Sequence, residues 1–305
     1  MPKYHVHKSV VIDKPVGEVF EFMKDFQHSK SWDPWMVCDP EAEQEYSEKY
    51  SKWNGEYVGE GEMRLVDETK DKYLEYALEF KAPYKSKAKV WYDFEKKDGG
   101  TEVNWHMDGS LPWFMFWMKN TMKGMIGMDF KRGLLMLKDV MENGEIGANS
   151  SYEGIVDLEI PYLVGYKAGC SIDDIASSMG PLMEKLMKRA NELGWKMAGA
   201  PLALYTKWDP AKGRCEYYVC LQLNDVKGVD DQEFEIIDFE AGKAMKGLHT
   251  GAYKHLGNVW SMLMMRVMKD KVRLRKGIVG LEVYEDDPRD VKMSEVKTSV
   301  YLILR

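Results

Sequence analysis

Residues 243–267, KAMKGLHTGAYKHLGNVWSMLMMRV, decide the fold class of this chain of 305 residues, because the hydrophobic period changes within one short stretch. Residues 243–249 are predicted to form a strand, and Gly251 marks a turn directly after it. Apolar side chains then recur at helical spacing, at Leu256, Trp260, Leu263 and Val267. This order predicts a strand that leads directly into an amphipathic helix.

The second half of the chain contains this order of elements twice. In the later copy, two further strands are predicted at residues 281–284 and 298–304. In the earlier copy, strand 162–168 leads through Ser171 and Gly180-Pro181 into a helix. The apolar positions of that helix are Leu182, Leu186, Ala190 and Leu193, and the strands after it are 202–207 and 215–223. Two such β-α-β-β units pair about a pseudo-twofold axis, so the groove between them is the natural place for a ligand.

A different order of elements is predicted in the first half. Residues 4–12 form an extended stretch, and Pro15 suits a first helical turn because its missing N–H would be unpaired there anyway. A long helix is predicted from Phe116 to Glu142, and Asn143-Gly144 ends it. The strands between the two helices are predicted at 57–66, 73–80, 86–94 and 101–107. An antiparallel sheet of this kind can curl around the long helix and enclose space.

A segment rich in Gly, Asn and Ser, residues 143–151, separates the two patterned halves and has the composition of a linker. The predicted division is therefore a ligand-cavity domain at residues 1–146 and a second domain at residues 152–305. The predicted fold class is α+β in both.

Charge and composition exclude several classes of protein. The net charge is −7, and the basic residues are scattered except at residues 266–276, so nucleic-acid binding by this chain alone is not expected. His5 and His7 alternate on a strand without a third ligand, and no zinc or other metal is predicted. No phosphate-binding loop, dinucleotide motif or nucleophile triad is present, so no cofactor is expected. The cysteine pattern and the absence of an apolar signal segment predict a cytoplasmic protein.

The first half resembles the START-like superfamily, also called SRPBCC or polyketide-cyclase-like. The resemblance rests on residues 12–20, IDKPVGEVF, on Trp32-Asp33-Pro34-Trp35 and on Gly59-Glu60-Gly61, and it covers about residues 4–142. It implies a helix-grip fold, in which a curved antiparallel sheet surrounds a long C-terminal helix. It also implies a cavity for apolar molecules.

The second half resembles the GyrI-like, or AraC-type effector-binding, family over roughly residues 153–305. The matching positions are Gly199-Ala200-Pro201, Tyr205, Trp208-Asp209, residues 249–253 (HTGAY), residues 281–284 (LEVY) and Asp287-Pro288. Regulators that carry such a domain normally have a DNA-binding module in front of it. Here a START-like half occupies that place, which puts a transcriptional role in doubt.

The second resemblance implies a site. Drug-sensing members of the family use a buried glutamate among aromatics to bind cationic or polar-aromatic ligands, and the matching position is Glu282, followed by Tyr284. Tyr253 is expected at the mouth of the groove, and Tyr205 and Trp208 are expected to wall it from the other repeat, although each of the three suits an ordinary core equally well.

An enzymatic alternative also follows from the resemblance, since some members hydrolyse reactive small molecules. Paired acidic groups would polarise the substrate and activate water. Glu216 and Glu282 are the candidates for that pair. Glu216 alternates with Tyr218 and Cys220 on its strand, and the sequence leaves open which face of that strand lines the groove.

The first half has its own candidate ligand-binding residues. Large aromatics supply apolar wall area, and Trp32, Trp35, Tyr92 and Trp105 are predicted to line the cavity between sheet and long helix, with a solid core as the alternative. Residues 111–118, LPWFMFWM, are too short to span a bilayer. They fit a buried helix start, a mobile lid, or a patch that docks onto a membrane or a protein.

The function expected from the sequence is the binding of small hydrophobic, aromatic or cationic molecules, for sensing or sequestration. The alternatives are an enzyme, either a hydrolase that uses Glu216 and Glu282 or a cyclase-like isomerase in the first half, and an adaptor that docks through residues 111–118. The ligand and the oligomeric state stay open.

Overall fold

The computed structural model describes residues 2–229, 232–240 and 242–305, and it divides the chain into two compact units, Met1–Gly147 and Ala148–Arg305. Each unit contains an antiparallel sheet and α-helices. Both are therefore α+β, as predicted. In the part of the chain described, no helix is both long and apolar enough to cross a membrane.

The first unit is a seven-stranded sheet with two α-helices. Its helices are α1 (Val16–Lys24) and α2 (Lys119–Asn143). Its strands are β1 (Lys3–Ile12), β2 (Glu43–Tyr46), β3 (Tyr50–Gly55), β4 (Gly59–Thr69), β5 (Tyr73–Ala82), β6 (Ser86–Lys97) and β7 (Gly100–Ser110). They are ordered β1-β7-β6-β5-β4-β3-β2. The short strands β2 and β3 were not predicted, because neither has an apolar run.

The core of the first unit lies between one face of this sheet and α2. Alternate residues of β7 are buried, including Val103, Trp105 and Met107, and they pack with Phe130 and Leu134 of α2. This is the alternation that the sequence predicted for a sheet with one covered face. The arrangement is a helix-grip fold.

The end of α2 is where the sequence placed it. Gly144 caps the helix with a φ of 85°, a left-handed conformation that glycine adopts without a Cβ clash. The next strand begins at Ala148, so part of the predicted linker 143–151 belongs to a strand of the second unit. Pairing with a neighbouring strand overrides the turn-forming composition of that segment.

In its described residues, the second unit is an eight-stranded antiparallel sheet with two α-helices. Its helices are α3 (Ile175–Glu192) and α4 (Gly257–Lys269). Its strands are β8 (Ala148–Leu158), β9 (Tyr162–Ser171), β10 (Leu202–Asp209), β11 (Arg214–Leu223), β12 (Glu235–Ile237), β13 (Gly242–Gly251), β14 (Gly280–Tyr284) and β15 (Lys297–Ile303). They are ordered β12-β9-β11-β10-β14-β15-β13-β8.

The two predicted β-α-β-β copies are β9-α3-β10-β11 and β13-α4-β14-β15. They join where β10 pairs with β14, with Ala203 opposite Glu282 and Tyr205 opposite Gly280. One boundary differs from the prediction, because α3 begins at Ile175 and contains Pro181 rather than starting after it. The central pairing places β14 at the midline of the sheet, which positions the candidate site.

Candidate functional site

Glu282 lies on β14 at the midline of the second unit. Its side chain is on the sheet face that packs against the helices, and the residue is only 5% exposed. An ionised carboxylate in such a place needs compensating hydrogen bonds or a positive partner. The partners of this carboxylate therefore decide what the site can do.

Three aromatic side chains donate hydrogen bonds to the Glu282 carboxylate. The indole Nε1 of Trp260 lies 2.6 Å from Oε1. The hydroxyls of Tyr284 and Tyr205 lie 2.8 and 3.1 Å from Oε2. These donors come from α4, β14 and β10, so the site needs both repeats. Both carboxylate oxygens are satisfied by neutral groups.

The electrostatics of the site reflect its burial. Burial raises the pKa of Glu282 above its ordinary value, and the hydrogen bonds from Trp260, Tyr284 and Tyr205 oppose this shift. In the described residues, no lysine or arginine is among the groups that shift this pKa. Burial also raises the pKa values of Tyr205 and Tyr284 well above the ordinary tyrosine range. The two phenols therefore stay protonated as donors to the carboxylate.

Aromatic rings surround the carboxylate on the helix side of the sheet. The Tyr205 ring lies edge-on to Trp260 at 5.6 Å and to Trp208 at 5.9 Å between centroids. Tyr253 and Tyr284 meet edge-on at 5.8 Å. Trp208, Tyr253, Trp260 and Tyr284 are half-buried, whereas Glu282 and Tyr205 are buried. We call these five rings with Glu282 the aromatic site.

Trp260 reaches the carboxylate because β14 begins with a glycine. A Cβ on Gly280 would lie 2.7 Å from the Trp260 ring, so the indole occupies space that any larger residue would fill. The sequence predicts Trp260 only as part of the apolar face of its helix. It does not predict Met179 as a site residue, although the Met179 Sδ lies 2.8 Å from the Tyr284 hydroxyl. Gly280 is the residue that leaves room for the Trp260 ring. The sequence does not show that these two residues are neighbours, because their contact forms only when α4 packs on β14.

The structure does not bring Glu216 into this site. Cys215 and Tyr217 of β11 pack on the helix side with Tyr205, so Glu216 between them faces the other side of the sheet. There its carboxylate forms an ion pair with Lys207 at 2.8 Å. Glu216 and Glu282 therefore do not form the predicted acid pair. Side chains alternate between the two faces along each strand, and Glu216 of β11 and Glu282 of β14 lie on opposite faces of the sheet.

The predicted cavity residues of the first unit form one packed aromatic cluster. The Trp105 ring stacks on Phe130 of α2 with 4.0 Å between centroids. Tyr92, Trp32 and Trp35 lie 5.4, 5.6 and 6.1 Å from Trp105. These spacings are those of aromatic side chains in contact. The four residues fill the space where the sequence predicted a cavity wall.

A cavity of about 760 Å³ lies elsewhere in the first unit, where β1, β5, β6 and β7 meet the start of α2. Trp32, Trp35, Tyr92 and Trp105 are not among the residues that line it. Its lining is mixed and includes Tyr4, Tyr76, Ala88, Lys119 and Lys123. The volume lies within the usual range of small-molecule sites, and the lining also includes the acidic residues Glu75 and Asp108.

A third histidine joins the two that the sequence singled out. The His106 ring stacks with His7 at 4.3 Å and with Trp91 at 4.9 Å, and its Nδ1 lies 3.4 Å from His5 Nε2. Burial, followed by the nearby His7 and His5, lowers the pKa of His106 to about 4. Among the residues that the structure describes, no group of three or more His, Cys, Asp or Glu side chains is placed to hold a metal ion.

Fold and site together define a two-domain small-molecule-binding protein. Residues 3–142 match the family described as polyketide cyclase, dehydrase and lipid transport, and residues 155–305 match the GyrI-like small molecule binding domain. The chain therefore joins one domain of each family, as the sequence motifs indicated. No curated protein matches the chain.

Similar solved structures match parts of the chain. Protein MLL2253 from Mesorhizobium loti is 11% identical, covers 47% of this chain and 99% of its own, and has a TM-score of 0.37. EcmrR in a DNA complex is 16% identical over 62% of this chain and 69% of its own, with a TM-score of 0.43. SAV2435 bound to tetraphenylphosphonium is 16% identical over 51% of this chain and 94% of its own, with a TM-score of 0.41.

Proposed function

We propose that the second unit binds lipophilic aromatic cations at the aromatic site. One observation carries this proposal: Glu282 is a buried carboxylate held by three neutral donors, and within the described part of the chain no basic side chain contributes to its pKa. Ionising such a group costs free energy that a bound cation would recover. A permanently charged ligand supplies the missing positive partner.

The aromatic rings select the kind of cation. A small hydrated ion would lose its water without replacement, whereas a cation with delocalised charge and apolar groups is attracted to ring faces and loses little hydration. Tyr205, Trp208, Trp260, Tyr253 and Tyr284 supply those faces. We therefore place aromatic ammonium, pyridinium or phosphonium ions first among the ligands.

Access to Glu282 requires side chains to move. The carboxylate is buried, but four of the rings in front of it are half-buried and so reach the solvent. Rotation of those rings about their side-chain torsions would expose the carboxylate without unfolding the sheet. Sensing or sequestration of such compounds is the outcome we propose, with an apolar or amphiphilic molecule held in the first unit.

This proposal places the protein in the cytoplasm and without nucleic-acid binding of its own. Four cysteines are free, and the sulfurs of Cys170 and Cys215 lie 3.8 Å apart as thiols on neighbouring strands. A reducing compartment keeps such a pair of cysteines in the thiol form, without a disulfide bond. The net charge of −7 disfavours attraction to phosphate backbones.

Cation binding is expected to depend on pH through Glu282. The pKa of this carboxyl in the free protein is raised by burial, so the carboxylate takes up a proton at a higher pH than an ordinary glutamate. Because the protonated form has no charge to offer, affinity for an aromatic cation is expected to fall as pH decreases, beginning above the ordinary glutamate value of 4.5. Calorimetric titrations over a pH series measure this, and binding at high pH should occur without proton release. A pH-independent affinity would contradict the role of Glu282.

Trp260→Phe is expected to move that pH dependence upward. The ring is kept, but the Nε1 donor to Glu282 Oε1 is lost, so the pKa of Glu282 rises further and the midpoint of binding shifts to higher pH. Trp208→Phe is the matched control, because Trp208 contacts the Tyr205 ring without being one of the Glu282 donors. Equal midpoints in the two variants would mean that the indole N–H does not act on the carboxylate.

A further inference from the structure

Residues 113–118, WFMFWM, form a short 3₁₀ helix directly before α2, and we call it the aromatic ridge. The sequence left open whether this segment is buried, a lid or a docking patch. Its four aromatic residues, Trp113, Phe114, Phe116 and Trp117, are 60 to 76% exposed, and no residue of the ridge is buried. A buried helix start is therefore wrong. Only Met115 and Met118 pack against the core.

Four large aromatic side chains that are exposed to water within six residues carry an unfavourable hydration free energy, and exposed apolar patches on soluble proteins mark interaction sites. The residue types indicate which kind of partner covers this one. Tryptophan is enriched at the boundary between lipid headgroups and acyl chains, where its apolar ring and its N–H are both satisfied. Phenylalanine and methionine suit the acyl side of that boundary.

The charges next to the ridge favour an anionic surface. Lys119 and Lys123 follow it in the first turns of α2 and are both exposed. Residues 109–128 contain these two lysines and no Asp or Glu. In the described part of the first unit, neither lysine forms an ion pair that would neutralise it. Basic residues beside an apolar segment are attracted to acidic headgroups.

The ridge also adjoins the cavity of the first unit. Lys119, Asn120 and Lys123 belong to the lining of the 760 Å³ cavity, and they begin one residue after the ridge ends. A surface placed on the ridge would therefore lie beside residues that line the cavity. This continuity suits a bilayer, from which an amphiphilic molecule can pass into the cavity.

We propose that the aromatic ridge, with Lys119 and Lys123, docks the first unit onto an anionic lipid bilayer. The four rings insert to the depth of the headgroups, and the two ammonium groups contact lipid phosphates or carboxylates. Docking of this kind is peripheral and reversible, because a few side chains bury far less apolar area than a spanning helix. It is independent of the cation site in the second unit.

The test is flotation of the full chain with vesicles of phosphatidylcholine, alone or mixed with phosphatidylserine. The protein is expected to float with the mixed vesicles and to be released by salt, because screening weakens the lysine contribution. Trp113→Ala/Trp117→Ala is expected to reduce the bound fraction about tenfold or more, and Lys119→Gln/Lys123→Gln about tenfold on mixed vesicles with little change on neutral ones. Tyr162→Ala removes a comparably exposed aromatic from the second unit and is expected to change nothing.

Three results would overturn the proposal. The first is wild-type protein that stays at the bottom of the gradient with mixed vesicles. The second is flotation that both double variants retain at the wild-type level. The third is concentration-dependent dimerisation in sedimentation velocity that Trp113→Ala/Trp117→Ala abolishes while vesicles bind nothing, since a second copy would then cover the ridge. All substituted side chains are exposed, and circular dichroism verifies that each variant is folded.

Discussion

Glu282→Gln is expected to weaken binding of an aromatic cation such as 1-methyl-4-phenylpyridinium by at least about 30-fold, which corresponds to about 2 kcal/mol. Glutamine keeps the shape of the side chain and removes its charge. The cation would then be buried among aromatic rings with no negative partner, and truncating one member of a buried charge pair has effects of this size or larger. Isothermal titration calorimetry at neutral pH measures the change.

The same substitution is expected to leave the fold intact. A carboxyl whose folded-state pKa is raised above its unfolded value favours folding when protonated, and that contribution is lost as pH rises through the folded pKa. At neutral pH the charged Glu282 therefore disfavours the folded state of the free protein. Thermal unfolding of the empty Gln variant should occur at or above the wild-type temperature at neutral pH, and this difference should shrink under acid conditions.

Two controls separate charge recognition from general damage. Glu216→Gln changes a glutamate of the same unit on the opposite face, where it is paired with Lys207, and is expected to leave cation affinity unchanged. The neutral compound 4-methylbiphenyl has nearly the shape of 1-methyl-4-phenylpyridinium and should not distinguish Glu282→Gln from wild type. An unchanged affinity of the Gln variant for the cation would remove Glu282 from the site.

Trp105→Ala is expected to destabilise the first unit by about 3 to 5 kcal/mol, the usual range when a buried tryptophan or phenylalanine is truncated in a close-packed core. Trp105 is 3% exposed, stacks on Phe130 and contacts Trp32, Trp35 and Tyr92. Its loss removes apolar contact from every member of the cluster and leaves a void that rigid rings do not fill. Hydrogen exchange of the β6 and β7 amides in increasing urea reports the stability of this unit separately.

Trp113→Ala is the matched control, because it removes the same side chain from an exposed position of the same unit. It is expected to change the unfolding free energy by less than about 0.5 kcal/mol. If Trp105→Ala were equally mild, the cluster would be loosely packed, and Trp32, Trp35, Tyr92 and Trp105 would be better described as the wall of a cavity.

Much of the fold was predictable from the sequence because periodicity reports burial directly. Alternation in β6 and β7 predicted a sheet with one covered face, and Gly144 predicted the end of α2. The sequence does not predict the strand β8, because its first four residues lie in the segment with linker composition and its pairing with β13 is a long-range contact. The start of α3 was misplaced because Pro181 is a strong local signal that the surrounding helix overrides.

The residues of the candidate site were also predictable only in part. Motif positions predict Glu282, Tyr284, Tyr205, Trp208 and Tyr253, and in the structure the four aromatic residues surround the Glu282 carboxylate. Trp260 was recognised only as part of a helix face. Glu216 was paired with Glu282 because both are acids on strands of the same sheet, whereas their distance depends on strand register and on which face each side chain occupies.

The sequence by itself determined the two α+β domains, the duplication in the second, and Glu282 as its candidate acid, because period, turn residues and motifs are local properties. Only the tertiary structure decided that Glu282 is buried beneath three aromatic donors, that Glu216 lies on the other face, and that the residues 113–118 remain exposed. Burial and hydrogen-bond partners depend on contacts between residues far apart in the chain. The type of a residue limits which contacts it can form, and the fold of the whole domain determines which of them do form.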